Sequence, residues 1–327
     1  MSAPLLEVRG LRVEFPTRRG TLVAVDDVSF ELAPGEILGM VGESGAGKSM
    51  TGMAIIGLLE PPGRVARGEI RLEGRRIDGL PDAEMRKLRG RRIGAVFQDP
   101  LTSLNPLYTV GRQLEETILA HLPADRAEAR RRSLALLAEV GIPAPESRLD
   151  HYPHQFSGGM RQRVVIALAL AAEPRLVIAD EPTTALDVSL QAQIISLLRR
   201  LARERGAAVL LITHDMGVIA ETADRVAVMY AGRLAEIGPV REVLKSPRHP
   251  YTVGLMGSIP RLQAGGKHHA PLVQIEGAMP RLTAIPPGCA FHPRCPRRFA
   301  RCDAERPEPM AAGGALAACW LYDGPRR

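Results

Sequence analysis

The sequence has few aromatic residues, few cysteines and no long apolar run. Only 4% of its 327 residues are Phe, Trp or Tyr, and four are Cys. No uninterrupted apolar stretch reaches the roughly 18 residues that a membrane-spanning helix needs, which excludes such a segment. Residues 1–12 lack the apolar core of a signal peptide, and so few cysteines exclude a disulfide-stapled secreted domain. We therefore expect a cytosolic protein with one large domain or two modest ones.

The charge is concentrated at one end of the chain. Residues 1–239 contain 30 Lys and Arg and 30 Asp and Glu, whereas residues 240–327 contain 13 and 6 and carry the whole net charge of +7. That segment also holds 12 of the 27 prolines and all four cysteines. A basic tail is typical of a solvated surface or of a surface that binds anionic lipid or nucleic acid. Nucleic acid is the least favoured because the tail lacks an aromatic-basic stacking pattern.

Strand patterns alternate with helix patterns along most of the chain, which predicts an α/β fold with a parallel core sheet. The predicted core strands lie at residues 36–41, 92–97, 176–179 and 208–213. Helical periodicity predicts an α-helical subdomain inserted at about residues 100–160. Residues 226–238 match a β-hairpin that turns at Ala231-Gly232. After Pro239 the regular patterning fades.

Residues 42–49 have the G-x-x-x-x-G-K-S pattern of a phosphate-binding loop. The loop follows a predicted strand and opens a predicted helix, which is the context that the motif requires. Its backbone N–H groups can wrap a phosphate, Lys48 can reach the β- and γ-phosphates, and the Ser49 hydroxyl can bind Mg²⁺. The predicted contacts are Gly42, Glu43, Ser44, Gly45, Ala46, Gly47, Lys48 and Ser49. The motif alone predicts a nucleoside triphosphate site.

A second motif, Leu176-Val-Ile-Ala-Asp-Glu-Pro182, is a buried apolar strand that ends in two carboxylates. In phosphate-loop enzymes an acidic residue at this position is associated with Mg²⁺, and we assign that role to Asp180. The adjacent Glu181 points in another direction and is the candidate general base for an attacking water.

A third motif, Phe156-Ser-Gly-Gly-Met-Arg-Gln-Arg163, contains a Ser-Gly-Gly turn that opens a helix. Such a turn is a second phosphate-binding arrangement, and one nucleotide rarely needs two of them in one chain. We infer that Ser157, Gly158 and Gly159 serve the nucleotide of a partner subunit.

These motifs, in this order, resemble the ATP-binding cassette of ABC transporters over roughly residues 5–245. The resemblance implies a phosphate-loop ATPase core with an antiparallel β subdomain and an inserted helical subdomain. It implies that Gln98 forms the Q-loop, that Asp187 ends the D-loop Ala185-Leu186-Asp187, and that His214 is the switch histidine. Phe15 occupies the position of the aromatic residue that stacks on adenine.

The same resemblance implies Mg²⁺-dependent ATP hydrolysis by a pair of cassettes that close head-to-tail around two ATP molecules. Lys48, Gln98, Glu181 and His214 would carry the catalysis, and Ser49, Gln98 and Asp180 would hold Mg²⁺. The sequence departs from the family pattern at two positions. Met160 lies in the run where the family usually has Gln, which puts a ribose contact in doubt, and Met50 replaces a hydroxyl residue.

The tail resembles the C-terminal extension of the oligopeptide, dipeptide and nickel importer ATPases, through Arg248-His-Pro-Tyr-Thr252 and Ser258-Ile-Pro260. We assign residues 1–245 to the nucleotide-binding domain and residues 246–327 to this extension. The resemblance implies import of di- or oligopeptides, with nickel chelates and other small solutes as alternatives. The implied partners are two membrane permeases, an identical or paralogous second ATPase subunit and, indirectly, an extracytoplasmic solute-binding protein. The implied location is the cytoplasmic face of the inner membrane.

The extension holds the four cysteines, Cys289, Cys295, Cys302 and Cys319. Some members with this tail carry a 4Fe–4S cluster, and four thiolates suit one. The paired C-x-x-C spacing of zinc ribbons is absent, so zinc and metal-free thiols remain as alternatives, with His292 as an extra candidate ligand.

The rival class is an ABC ATPase without a transport role. Repair ATPases of this kind insert long coiled coils between the phosphate loop and the Ser-Gly-Gly turn, and here only about 110 residues separate the two. Translation factors carry two cassettes, whereas this chain has one set of motifs.

Overall fold

The computed structural model describes residues 3–18, 20–97, 100–183, 188–258 and 274–324. Gln98, the Ala185-Leu186-Asp187 run and the Ile259-Pro260 pair lie outside these ranges. The roles that the sequence gives to Gln98 and Asp187 therefore stay predictions.

Within the described residues the chain alternates strands and helices as the sequence predicts. The strands are β1 (Leu6–Thr17), β2 (Gly20–Leu32), β3 (Ile37–Val41), β4 (Arg64–Leu72), β5 (Arg75–Arg76), β6 (Ile93–Val96), β7 (Leu176–Asp180), β8 (Ala208–Ile212), β9 (Arg225–Tyr230), β10 (Arg233–Pro239), β11 (Met310–Ala312) and β12 (Ala315–Ala317). The helices are α1 (Lys48–Ile55), α2 (Asp82–Leu88), α3 (Pro100–Ser103), α4 (Val110–His121), α5 (Arg126–Glu139), α6 (Pro145–Arg148), α7 (Gly158–Leu170), α8 (Val188–Arg205), α9 (Met216–Thr222), α10 (Val240–Lys245), α11 (Pro250–Gly257) and α12 (Ala300–Ala304).

The larger sheet follows the order β11-β12-β10-β9-β3-β8-β7-β6. Its centre is parallel: β3 pairs with β8 and β9, and β7 pairs with β6 and β8. This confirms the predicted α/β core. The predicted hairpin is β9 and β10, and its two turn residues, Ala231 and Gly232, have the positive φ angles of 46° and 81° that a tight hairpin turn needs. Since parallel strands share an edge at their carboxyl ends, residues that follow β3, β7 and β8 can meet there.

The parallel sheet is buried on both faces. Along β3, Ile37 and Val41 pack into one apolar cluster with the helices α4, α5, α7 and α8. The intervening Leu38 and Met40 pack into a second cluster with the antiparallel sheet β2-β1-β4-β5. A strand that alternates between two cores explains why residues 36–41 are almost uniformly apolar.

The inserted helical subdomain is α3 to α6, which lie between β6 and β7. Its two longer helices begin at side-chain caps: the Thr109 side chain accepts from Arg112 N at 3.2 Å, and the Asp125 side chain accepts from Glu128 N at 2.7 Å. Among the residues described, no helix is both long and apolar enough to cross a bilayer.

The segment after Pro239, where the sequence pattern fades, is more regular than the sequence indicates. It forms α10, α11, α12 and the hairpin of β11 and β12. Strand β12 pairs with β10, so the C-terminal extension continues the core sheet. Strands β11 and β12 have only three residues each, so they are too short to show an alternation of apolar and polar side chains in the sequence.

A buried carboxylate anchors the start of the extension. Glu236 on β10 is 1% exposed and accepts backbone N–H bonds from Arg248, at 2.9 and 3.1 Å, and from His249, at 2.9 Å. His249 in turn caps α11, because its Nδ1 accepts from Tyr251 N at 3.0 Å. Burial, partly offset by a hydrogen bond to the backbone of Ala318, lowers the pKa of His249 to about 4.

We expect the stability of the extension to fall as the pH drops from about 6.5 to about 4. In this window the unfolded chain takes up a proton on His249 and the folded chain does not, which costs up to about 3 kcal/mol. His249→Asn keeps a helix-capping oxygen but cannot titrate, so its unfolding free energy should lose this dependence. Denaturant unfolding at several pH values, followed by the fluorescence of the single Trp320 in the extension, measures the difference. Parallel pH profiles for the two proteins would contradict the prediction.

Candidate nucleotide site

The phosphate loop connects β3 to α1 and depends on glycine. Gly42, Gly45 and Gly47 have φ angles of 152°, 80° and 100°. A Cβ at Gly42 would lie 2.3 Å from the carbonyl oxygen of Met229, and one at Gly47 would lie 2.7 Å from that of Ala24. Both contacts are with backbone, which cannot move aside cheaply, so side chains are excluded at these positions.

Lys48 is buried at the start of α1, with 7% of its surface exposed. Its Nζ donates to the carbonyl oxygens of Gly42, at 2.8 Å, and Glu43, at 3.1 Å. Burial lowers the pKa of Lys48, and the negative charges of Glu181, Asp180 and Glu43 oppose that shift. The Lys48 ammonium group thus links two carbonyl groups of the loop, and its third N–H can donate to a phosphate.

Asp180 ends β7 with one oxygen unsatisfied. Its side chain is hydrogen-bonded to Ser49, and Oδ1 is buried without a hydrogen-bond partner. Burial raises the pKa of Asp180, although the Ser49 bond and Lys48 act in the opposite direction. An orphaned carboxylate oxygen beside a hydroxyl is a donor set that suits Mg²⁺, so the residues present fit that ion.

Glu181 and His214 meet across the ends of two neighbouring strands. Glu181 has a φ of 48°, uncommon for a residue with a side chain, and its N–H donates to Ile212 O at 2.8 Å. Its Oε1 lies 3.2 Å from Nδ1 of His214, which follows β8. The Glu181 carboxylate therefore reaches the histidine from the end of the neighbouring strand.

One cavity of about 350 Å³ collects most of these groups. It is lined by Ala24, Ser44, Gly45, Ala46, Gly47, Lys48, Ser49, Met50, Glu181, His214 and Leu282. Phe15 lies outside this lining, and its ring faces Gly63, where a Cβ would come within 2.5 Å of Phe15 Cε1. The structure therefore brings Glu181, His214 and Lys48 together, and the adenine contact of Phe15 stays a prediction.

Comparison with known proteins explains this geometry. The chain is 50% identical over 321 residues to the dipeptide transport ATP-binding protein DppD of Bacillus subtilis, covering 98% of this chain and 95% of that one. It is 49% identical over 316 residues to the oligopeptide transport ATP-binding protein OppD of Salmonella typhimurium, covering 97% and 93%. The chain belongs to the ABC transporter family. Residues 25–184 match the model of that family, and residues 235–302 match the oligopeptide/dipeptide transporter C-terminal region.

Solved ABC cassettes share the fold. The chain superposes on the dimeric bacterial ABC transporter cassette MJ0796 with a TM-score of 0.66 and 30% identity, covering 72% of this chain and 99% of that one. Its superposition on cbiO1 of Clostridium perfringens, part of the transporter complex cbiONQ, has a TM-score of 0.64 and 30% identity, covering 78% and 96%. Both confirm the ABC ATPase fold that the motifs imply.

The Ser-Gly-Gly turn of this ABC cassette is absent from the lining of its own nucleotide cavity. Ser157 caps α7, with its Oγ accepting from Met160 N at 3.3 Å, and Ser157 and Gly158 are exposed. Gln162, the glutamine nearest to the expected ribose contact, is 2% exposed and so faces the interior. It does not replace the side chain missing at Met160.

The sequence reasoning missed the contribution of the extension to this site. Leu282 lines the nucleotide cavity, and the Met279 methyl group would lie 3.1 Å from a Cβ at Gly45. Tyr251 and Arg294 bind the neighbouring Glu43. No spacing signal connects these residues with the phosphate loop, since more than 200 positions separate them.

The four cysteines gather around a single small cavity in the extension. Cys289, Cys295, Cys302 and Cys319 all line it, and Cys289 N donates to Cys302 O at 2.9 Å. Burial raises the pKa of Cys289 to about 11 and also raises those of Cys295 and Cys319. His292 lines the same cavity, but its Nδ1 lies 2.9 Å from Cys289 O. Within the described ranges no group of three or more His, Cys, Asp or Glu side chains is placed to hold a metal ion.

Proposed function

We propose that this chain is the ATP-hydrolysing subunit that powers the import of di- or oligopeptides across the cytoplasmic membrane. The observation that carries the proposal is the convergence of Lys48, Ser49, Glu181 and His214 around one cavity at the carboxyl ends of adjacent strands, with Asp180 hydrogen-bonded to Ser49. The peptide substrate rests on the names of the relatives, nearly all of whose length the chain covers. Nickel chelates and other small solutes are the alternative cargo.

In the proposed reaction a water attacks the γ-phosphorus of ATP in line with the leaving β-phosphate oxygen. Glu181 accepts the proton of that water, and His214 holds the Glu181 carboxylate in place and contacts the γ-phosphate. Lys48 binds the β- and γ-phosphates. Ser49 and Asp180 would hold Mg²⁺, which would supply charge neutralisation at the phosphates. Gln98 would complete that ion's site, and Phe15 would stack on adenine.

Glu181→Gln tests the assignment of the base. The variant keeps the shape of the side chain but cannot accept the proton, so turnover should fall by about 100-fold or more while nucleotide affinity stays near the wild-type value. Lys48→Ala is the contrasting variant, since it removes a phosphate contact and should weaken binding itself. Phosphate release and equilibrium nucleotide binding on the purified chain separate the two effects. Near-normal hydrolysis by Glu181→Gln would refute this role.

We also propose that the cassette closes against a second ATP-binding subunit, identical or paralogous. The Ser157–Gly159 turn is remote from its own nucleotide cavity, and the helix N-terminus behind it favours an anion. Asp187 would lie in the same interface. The related cassette MJ0796 is dimeric, which supports the arrangement.

Gly158→Ala tests this closure without disturbing the fold. A Cβ at Gly158 meets nothing within 4 Å, whereas one at Gly159 would lie 1.9 Å from Leu190 Cδ2. Alanine is the better helix former, so Gly158→Ala should not lower the thermal midpoint. In the Glu181→Gln background it should abolish ATP-induced dimers, because the methyl group stands where the partner's phosphate would approach. Light scattering measures dimer formation, and dimers as abundant as those of the parent would contradict the model.

The proposed membrane partners are two permease subunits, with an extracytoplasmic solute-binding protein acting through them. A groove between the core and the helical subdomain supports such a docking site. Phe97 and Leu58, each 37% exposed, line it together with Ile93 and Val165. The chain would then lie at the cytoplasmic face of the membrane.

We place the functional division near residue 245, with residues 246–327 as the extension.

For the four cysteines we propose a 4Fe–4S cluster, with zinc or free thiols as the alternatives. Four thiols line one apolar cavity, which matches the number of ligands of such a cluster, but their side chains are not placed around a common metal position, so cluster binding would require them to move together. The raised pKa values of Cys289, Cys295 and Cys319 mean that these thiols keep their protons at neutral pH, so metal binding would release them.

Anaerobically purified protein should contain about four iron and four acid-labile sulfide per chain. Cys295→Ser should lose most of that iron, whereas Lys48→Ala, remote from the cavity, should keep it. Elemental and sulfide analysis measures both. Full iron in Cys295→Ser, or zinc in place of iron, would refute the cluster.

A further inference from the structure

The phosphate loop is held from outside by the C-terminal extension. Glu43 is the only acidic residue among residues 42–49. Its backbone N–H donates to the hydroxyl of Tyr251 at 2.9 Å, and its carbonyl oxygen accepts from Lys48 Nζ. Tyr251 is fully buried, so it presents a fixed point of attachment for the loop.

Arg294 of the extension binds the Glu43 carboxylate directly. Its Nη1 lies 3.0 Å from Oε1 and 3.2 Å from Oε2 of Glu43, and the Arg294 side chain is 7% exposed. The other two nitrogens also donate, Nε to Glu276 O at 2.9 Å and Nη2 to Ile275 O at 3.3 Å, and Nη1 lies 3.3 Å from the Tyr230 hydroxyl. The guanidinium is therefore locked in one orientation by the extension before it meets the loop.

The opposite charges of Arg294 and Glu43 make their contact relevant to nucleotide binding. The carboxylate of Glu43 belongs to the loop that would wrap the phosphates of the nucleotide. Glu43 does not line the cavity, but its charge acts on Lys48, so an unpaired carboxylate there would oppose the binding of phosphates that Lys48 contacts. Arg294 cancels that charge and, through the same bonds, fixes the conformation of the loop.

We propose that Arg294 is a positioning residue for nucleotide binding that acts through Glu43, so that nucleotide affinity depends on the C-terminal extension. This inference rests on the proposed role of the loop as the ATP site. Arg294 touches no phosphate itself. Its effect is transmitted by a side chain of the loop, which distinguishes it from Lys48.

The test is a double-mutant cycle on the full chain, with MgADP as the probe because it binds the loop without being hydrolysed. Arg294→Gln leaves the Glu43 carboxylate unpaired and should weaken MgADP binding about tenfold. Glu43→Gln removes the repelling charge and should change affinity by less than about threefold. The double variant should match Glu43→Gln, since Arg294 has nothing left to neutralise. A residue with a purely structural role would instead give additive losses.

Two further variants sharpen the result. Arg294→Lys keeps the charge but loses the bonds from Nε and Nη2 to backbone carbonyls that orient the side chain, and it should fall between wild type and Arg294→Gln. Arg298→Gln is the matched control, because Arg298 is 51% exposed, pairs with Asp303 in the same segment and should leave the affinity unchanged. If Arg294→Gln fails to fold, the same cycle is measured with Arg294→Lys.

Isothermal titration calorimetry gives the dissociation constants, and the thermal midpoint of each variant checks its folding. Wild-type affinity in a folded Arg294→Gln, or additive losses in the double variant, would overturn the inference and leave the proposed function intact. A wild-type chain that binds no MgADP would overturn the proposed function, and the inference with it.

Discussion

The conformation of the phosphate loop is the constraint on which the rest of the site depends. The loop can wrap a phosphate only if Gly42 and Gly47 adopt backbone angles that bring them against Met229 and Ala24. Those two residues belong to β9 and β2, so both sheets must be in place before the loop has its shape. Ala46 O also accepts from Gly232 N at 2.9 Å, which ties the loop to the turn of the hairpin. The nucleotide site is thus a product of the whole core.

The extension adds a fourth support to the same loop. A chain of contacts leads from the buried Glu236 on β10 to the backbone N–H of His249, from the His249 side chain to Tyr251 and then to Glu43. Around it, the rings of Tyr230, Tyr251 and Phe291 pack with centroids 4.6 to 5.5 Å apart. The rings of such a close-packed cluster cannot shift independently, so a displacement of one ring displaces the others. Phe291 lines the cysteine cavity, and Arg294, three residues later, binds Glu43, so one short segment of the extension contacts both places.

The excess positive charge of the tail is partly used inside the molecule. Arg306 pairs with Asp26 and Asp27 of β2 at 3.4 Å each, which fastens the extension to the antiparallel sheet. Arg301 lies 3.5 Å from the ring centroid of Trp320 and also bonds Asp323. Together with Arg294, these arginines join the extension to the body and to itself.

The sequence by itself determined the chemistry of the nucleotide site, because its motifs are local. Residues 37–49 and 176–182 each contain a strand end and the reactive groups that follow it, so short-range patterning places Lys48, Asp180 and Glu181 at one sheet edge. Tertiary structure decided what surrounds that edge. The order of the strands brought His214 to Glu181, Phe15 was left outside the cavity lining, and the hairpin of the extension joined β10. Only folding brings Arg294 to Glu43. The two residues are about 250 positions apart, and a pair at that separation produces no periodic pattern in the sequence.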